Sequence, residues 1–353
     1  MKFLHVGDIH LGVEPDKDRE WSKARQQEIW DSVARVVDVC NAEEVDLLLL
    51  AGDIFHSQPL VRQIKDLDYR LSNLENTKVV MLAGNHDYIR ENSKYGNYEW
   101  SSNVTMLSGK EMNSVYFEEL NTEIYGFSYH SREITGANID LVKPVDKSKI
   151  NILLAHGGDE KHMPINFKSL QYAGFHYIAL GHIHLPQIIV PDMIAYAGVL
   201  EPIDKTETGD RGYILGDIIN GKTKINFNKS NIRSYLEKTI KVTPNMSNAE
   251  LQDEVKKIIE NEGRENIYIF RLKGYSDPDI EIESDILYKL GNIVEIDDQT
   301  EPDYDFERLY EVNKDNMIGM FIGDLLPEVK AGKLLEKKAL YYGLKALLAA
   351  KEV

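Results

Sequence analysis

Five short polar clusters, each set directly after an apolar run, constrain this chain more than any other feature. They are Asp8-Ile9-His10, Gly52-Asp53-Ile54-Phe55-His56, Gly84-Asn85-His86-Asp87, His156, and Gly181-His182-Ile183-His184. The runs before them, at 2–6, 45–50, 78–82, 150–155 and 177–180, read as apolar strands, and the unbroken run at 45–50 as a buried one. Between the first three runs lie helical patterns. One spans 19–41, with Trp30, Val33, Ala34, Val37 and Cys40 at helical spacing, and another spans 59–75, opened by Pro59. Strand and helix in alternation imply right-handed crossovers and a mainly parallel sheet. The polar clusters then fall at the carboxyl ends of the strands, where such sheets bind ligands.

Six of the ten histidines lie in these clusters. Asp8 and His10, two apart at the mouth of one strand, can turn a carboxylate oxygen and an imidazole nitrogen toward one ion. Asp53 has two carboxylate oxygens and can bridge two ions, Asn85 offers an amide oxygen, and His156, His182 and His184 supply nitrogens. A mixed N/O set without thiolate suits Mn, Fe or Zn better than Mg or Ca. Two ions about 3.5–4 Å apart can clamp a phosphate, activate water and steady a leaving oxygen. Gly7, Gly52, Gly84 and Gly181, beside the ligands, permit sharp turns and close backbone approach. Each motif alone has an ordinary explanation as a loop or turn; the five together, in order and each after a strand, point to phosphoester hydrolysis. The remaining histidines lack that pattern. His5 reads as a core residue, and His130, His162 and His176 read as surface or supporting groups.

The rest of the chain is less specific. Residues 187–228 read as short antiparallel strands. A second αβ unit follows, with strands at 237–243, 266–273 and 292–297 and helices at 248–262 and 282–290. Residues 298–316 read as a polar linker, and the 317–353 tail as rich in Leu, Ala and Lys, with Leu340, Leu344, Leu347 and Leu348 in a stripe on a final helix. The single cysteine, Cys40, excludes an internal disulfide and reads as a packed thiol. No apolar run approaches the ~18 residues of a membrane span, and the N-terminus lacks a signal-peptide layout, so an intracellular protein is expected. The net charge of −17 is unlike that of a simple nucleic-acid binder, although bound cations would offset carboxylates locally.

At the five clusters the sequence resembles the calcineurin-like metallophosphoesterase superfamily, whose pattern is D-x-H, G-D, G-N-H-D/E, H and G-H-x-H. The resemblance covers roughly residues 1–230. It implies an α/β fold, a four-layer sandwich of two mixed sheets flanked by helices. Within the superfamily the chain looks most like the nuclease family of the Mre–Rad double-strand-break repair complexes, relatives of bacterial SbcD. The opening text His5-Val6-Gly7-Asp8-Ile9-His10-Leu11-Gly12, His56 three residues after Asp53, and an αβ unit followed by a helical tail carry that likeness.

The resemblance implies a nuclease domain at 1–232, a DNA-capping domain at 233–313, and a linker with a helical ATPase-binding segment at 314–353. It assigns one ion to Asp8, His10, Asp53 and His184 and a second to Asp53, Asn85, His156 and His182. His86 would contact the scissile phosphate, and His56 would orient His86 or the substrate. Asp87 is near enough in sequence to hold His86. The implied activity is Mn-dependent hydrolysis of DNA, as a 3′-to-5′ exonuclease and single-strand endonuclease, with Mg, Fe or Zn as other candidate ions. Implied partners are DNA ends and single-stranded DNA, a second copy bound through helices near 59–100, and a coiled-coil Rad-type ABC ATPase docked on the tail. The implied setting is DNA-associated and cytoplasmic in a prokaryote. A phosphatase or cyclic-nucleotide phosphodiesterase of the same superfamily is the alternative, and a scaffold that only binds partners is a more distant one.

Overall fold

The computed structural model describes residues 1–136 and 139–351. It forms two compact units, Met1–Tyr235 and the chain from Leu236 onward. In the first unit, strands β1 (Lys2–Val6), β2 (Leu47–Leu50) and β3 (Lys78–Met81) are linked through helices α1 (Ser22–Ala42) and α2 (Val61–Leu71) and pair in parallel. Strand β4 (Val104–Met106) extends them, also in parallel. A second sheet is built from β5 (Asn113–Phe117), β6 (Thr122–Gly126), β7 (Ile150–His156), β8 (Tyr177–Gly181), β9 (Gln187–Val190) and β10 (Ile194–Tyr196), with the short helix α3 (Phe167–Leu170) between β7 and β8. The hairpin β11 (Gly212–Ile219) and β12 (Lys222–Lys229) then returns to the first sheet, antiparallel to β1. The two orders are β12-β11-β1-β2-β3-β4 and β5-β6-β7-β8-β10-β9.

Strand alternation divides the core into layers. Leu4, Val6, Leu48, Leu50, Val79 and Met81 pack under α1 and α2 with Ile29, Val33 and Leu67. Their neighbours Phe3, Leu47, Leu49 and Val80 point the other way, onto Ile152, Leu154, Tyr177 and Ala179 of the second sheet. The outer face of that sheet, with Leu153, Ile178 and Leu180, is covered by Leu170 and Ile139. Both faces of β2 are therefore apolar, which is why it reads as an unbroken leucine run. Burying one such leucine stabilises the fold by about 1.5–3 kcal/mol. The result is the sandwich of two mixed sheets flanked by helices that the sequence implied. Cys40 is fully buried in the α1 layer, and burial pushes its thiol up to about 12. His5 is buried too, its Nδ1 2.9 Å from the Tyr177 hydroxyl.

Several elements differ from the sequence expectations. Helix α1 starts at Ser22 rather than 19, and α2 ends at Leu71 rather than 75. Within the expected dimer region, 59–100, α2 is the one helix; Lys78–Met81 is strand and the remainder is irregular. Between 187 and 228 the pairing is mixed, because β10 runs parallel to β8 and antiparallel to β9.

Beyond the first unit, β13 (Tyr235–Val242), β14 (Ile267–Ser276) and β15 (Ile293–Pro302) form a three-stranded sheet, with β14 and β15 parallel. Helix α4 (Asn248–Glu262) packs Leu251, Val255 and Ile259 onto Ile240, Phe270 and Leu272. It opens with a capping box, in which the Ser247 hydroxyl accepts from Glu250 N and the Glu250 carboxylate accepts from Ser247 N at 2.8 Å. The expected helix at 282–290 shrinks to α5 (Ser284–Leu287). The segment 298–316 is not a structureless linker, for β15 continues to Pro302 and α6 (Phe306–Val312) follows. The tail is a hairpin of two helices, α7 (Met317–Lys330) and α8 (Leu334–Lys351), and the final one carries the expected leucine stripe. Leu340 and Leu344 of the stripe are fully buried against Ile318 and Ile322, with Leu347 and Leu348 packed alongside. The stripe is thus already covered within the tail itself.

Candidate metal centre

Parallel pairing brings the carboxyl ends of β1, β2, β3, β7 and β8 to one edge of the sandwich, so the loops after them meet. Close contact between the sheets depends on missing side chains. A Cβ on Gly181 would lie 2.1 Å from the Ala51 carbonyl oxygen, and one on Gly84 would lie 2.2 Å from Asp53 Oδ1. The chain is bent hard where ligands leave it. His10, Asp53 and His182 all have positive φ, at 54°, 44° and 94°, a conformation that non-glycine residues adopt seldom and at functional sites in particular.

The donors form two adjoining groups. Asp8, His10 and His184 converge in one; Asp53, His156 and His182 converge in the other. His10 Nε2 and His184 Nε2 are 3.0 Å apart. Asn85 Oδ1 lies 2.9 Å from His156 Nε2 and 3.1 Å from His182 Nδ1. Asp53 stands between the groups, with Oδ2 3.4 Å from His156 Nε2 and 4.0 Å from His10 Nε2. Its other oxygen accepts from the His86 backbone N–H at 2.8 Å. Both Asp8 oxygens accept from the His182 backbone N–H, at 2.9 and 3.1 Å.

These donors fit cations. His156 Nδ1 lies 2.9 Å from the Ala51 carbonyl, which can only accept, so that nitrogen carries the ring proton. The Glu207 carboxylate fixes the proton of His184 on Nδ1 in the same way. The Nε2 lone pairs of His156 and His184 then face the oxygens of Asp53 and Asn85 and the nitrogen of His10. Lone pairs facing lone pairs are held together favourably by a positive ion, and a protein acceptor behind each histidine is the usual support for a metal ligand. Burial lowers His10 well below the ordinary histidine range, helped by His184, His86 and His56, and keeps its imidazole in the neutral form that binds metal. Burial also lowers His182, with His156 adding to it. Burial would raise Asp53, but the facing His156, which also hydrogen-bonds the carboxylate, outweighs it and holds the carboxyl well below its usual range. Asp53 in turn raises His156 to about 9, and a bound cation would displace that proton from Nε2.

A third histidine group adjoins the first two. His10, His56 and His86 each bring a ring nitrogen close to the others. His86 Nδ1 lies 3.0 Å from the His56 carbonyl oxygen, leaving Nε2 as its outward atom. His56 therefore orients His86 through its backbone, while its own ring sits 3.4 Å from His10, Nδ1 to Nδ1. Asp87 does not hold His86, contrary to the expectation from sequence. Its carboxylate is fully buried and accepts from the backbone N–H groups of Ile54, Phe55 and Gly84 and from the Tyr95 hydroxyl. Asp87 ties the Asp53 loop to the Asn85 loop.

The family model for calcineurin-like phosphoesterases matches residues 1–186. The chain belongs to this family. It is thus a phosphoesterase, and the family implies divalent metal ions at the carboxylate and histidine clusters described above. Among its relatives, the protein named uncharacterized metallophosphoesterase YhaO of Bacillus subtilis is 26% identical over 264 residues, which is 69% of this chain and 64% of YhaO. The DNA double-strand break repair protein Mre11 of Archaeoglobus fulgidus is 26% identical over 332 residues, covering 84% of this chain and 73% of that protein. Its namesake in Saccharolobus solfataricus is 30% identical over 216 residues, 56% of this chain and 54% of the other. The chain therefore spans somewhat less than two thirds of YhaO.

Two residues at this phosphoesterase site are not marked by the sequence. Glu207 backs His184. Asp159 accepts from His182 Nε2 at 2.7 Å. His162, expected to be a surface or supporting group, supports Asp159 through Nδ1 at 2.9 Å. Asp159 follows His156 closely enough to have been considered; Glu207 lies in a loop with nothing in its local sequence to mark it. His130 and His176 stay outside the site, on the Ser108 carbonyl and the Asn151 backbone N–H. Among the described residues, no helix is long and apolar enough to cross a membrane.

Proposed function

We propose that this phosphoesterase is a DNA phosphodiesterase of the double-strand-break repair kind, using two Mn ions held by the two ligand groups. One observation carries the reading: His10, His56 and His86 bring ring nitrogens close together beside the ligands. A histidine aimed past the metals could meet a diester's leaving oxygen, and the outward Nε2 of His86 supports that role. When bound, a divalent pair supplies Lewis acidity toward phosphate and lowers the pKa of water. The chain's own residues do the rest. Asp8, His10, Asp53 and His184 would hold one ion, and Asp53, Asn85, His156 and His182 would hold the other. The His56 carbonyl fixes one proton of His86 at Nδ1, so a second proton at Nε2 can be donated to the departing 3′ oxygen.

The similarity to the archaeal Mre11 proteins supports this reading, since one alignment covers 84% of the chain and so extends past the phosphoesterase unit. By that likeness the chain is an intracellular exonuclease and single-strand endonuclease, dimeric through the surface near α2. The unit after residue 232 caps DNA, and the segment from 314 binds a Rad-type ATPase. With the α8 stripe covered by α7, that partner would use the outer face, where Met317, Met320, Leu334, Leu335 and Tyr342 are exposed.

One observation favours the second reading, a phosphatase or cyclic-nucleotide phosphodiesterase. Residues 277–307 carry twelve acidic side chains against the single base Lys289, a stretch that repels a phosphate backbone. End-labelled linear duplex DNA and p-nitrophenyl phosphate, each incubated with Mn and with Mn plus chelator, separate the two. Metal-dependent shortening of DNA with little monoester turnover is expected. Rapid monoester turnover with intact DNA would establish the second reading, and DNA degradation indifferent to chelator would sink the two-metal site.

A further inference from the structure

The loop after β7 builds a carboxylate support for one ligand. Asp159 Oδ1 accepts from the backbone N–H groups of Lys161 and His162 at 2.8 and 2.9 Å, so its own turn fixes the carboxylate. His162 Nδ1 adds contacts at 2.9 and 3.0 Å. The turn is itself anchored. Gly157 O accepts from the buried Tyr196 hydroxyl at 2.8 Å, Gly158 N donates to His162 O at 2.8 Å, and Met163 is fully buried with N donating to Ile134 O at 2.7 Å. Against this rigid carboxylate stands His182 Nε2 at 2.7 Å, and across the same ring Nδ1 faces Asn85 Oδ1 at 3.1 Å.

A neutral imidazole has one proton to place between those two acceptors. A carboxylate is a stronger acceptor than an amide oxygen, so the proton sits on Nε2 and the lone pair on Nδ1, toward Asn85, His156 and Asp53. We infer that Asp159 is a positioning residue, backed by His162, that fixes the His182 tautomer and so sets the strength of one metal position without touching the other. The inference rests on the two-metal reading of the site. It also excludes a ligand role for Asp159, although Asp159, His162 and His182 are themselves close enough to hold an ion.

The test is calorimetric titration of the full-length, metal-stripped protein with manganese chloride, with bound metal counted by elemental analysis. The wild type takes up two ions. Asp159→Ala weakens one binding step about 10–100-fold and leaves the other unchanged. Asp159→Asn keeps an acceptor oxygen on the same turn and recovers part of the loss. In ¹⁵N spectra of the metal-free protein, the His182 tautomer shifts away from Nε2–H in Asp159→Ala. Two unaltered steps in both variants, or an equal loss in both steps, would overturn the inference and leave the two-metal reading standing. A third equivalent that vanishes with Asp159→Ala would make Asp159 a ligand and overturn it as well. A wild type that binds no manganese would remove the two-metal reading before any variant is made.

Discussion

The two units of this chain use the same folding physics and differ in what their strand ends carry. Each layers helices on a sheet with apolar faces, yet all ten histidines lie before residue 185 and none lies after 235. The strands of the first unit open into loops that bend through positive φ at His10, Asp53 and His182. In the second unit the one described non-loop interruption of this kind is a glycine, Gly274 within β14 at φ 119°, against the Val242 carbonyl. Charge separates them too. From residue 236 on lie 25 of the 58 acidic residues but only 16 of the 41 basic ones. Layering a helix on a sheet does not by itself bring chemistry; the candidate chemistry lies in loops at one edge of one unit.

If that division is right, the largest losses come from that edge. Asp53→Ala should remove bound metal by elemental analysis and lower hydrolysis of a phosphodiester by about 10³-fold or more. Retention of both ions would show that Asp53 is not the bridge. His86→Ser should lower turnover by about 10²–10³-fold while both ions remain, and loss of metal instead would make His86 a ligand. The second unit should respond in the opposite sense. Removing 317–353 should abolish co-purification with a Rad-type ATPase and leave Mn-dependent hydrolysis within a few-fold of the full chain. Survival of the complex would make the tail structural. Leu344→Ala, in the α7–α8 contact, should cost about 2–5 kcal/mol of local stability, seen as earlier loss of helical signal on heating with unchanged metal content. The smallest effect belongs to Cys40. With its thiol pushed up to about 12 by burial, almost no thiolate exists near pH 8. A thiol reagent should label it only after unfolding, and rapid labelling of the native protein would show that the α1 layer opens.

Legibility in the sequence followed burial. Strands β1, β2, β3, β7 and β8 are apolar on both faces and were visible as runs; their polar ends gave every ligand position considered. Strands β4 and β5 are short or thinly marked: β4 has three residues, and β5 turns only Val115 and Phe117, each half-buried, toward the core, while β6 likewise was not read. The tail was legible in part. Its stripe marked the final helix, α8, but not α7, whose face covers it. Asp87 misled because adjacency in sequence says nothing of direction. Its side chain turns inward to three backbone N–H groups, whereas that of its neighbour His86 turns toward the site.

The left-handed backbone at His10, Asp53 and His182 limits how this site could be redesigned. Each position has to satisfy two filters at once, a donor atom in the right place and a side chain that tolerates that twist. Asp, Asn and His are the non-glycine residues most at home there, which is also a short list of good oxygen and nitrogen donors. Asp53→Glu or His10→Gln would preserve the type of chemistry at some cost in backbone strain, although Glu44 and Met163 show that longer side chains do take up this twist in the chain. An engineer wishing to change the metal would therefore do better to alter the supports, Glu207 or Asp159, than the ligands they hold.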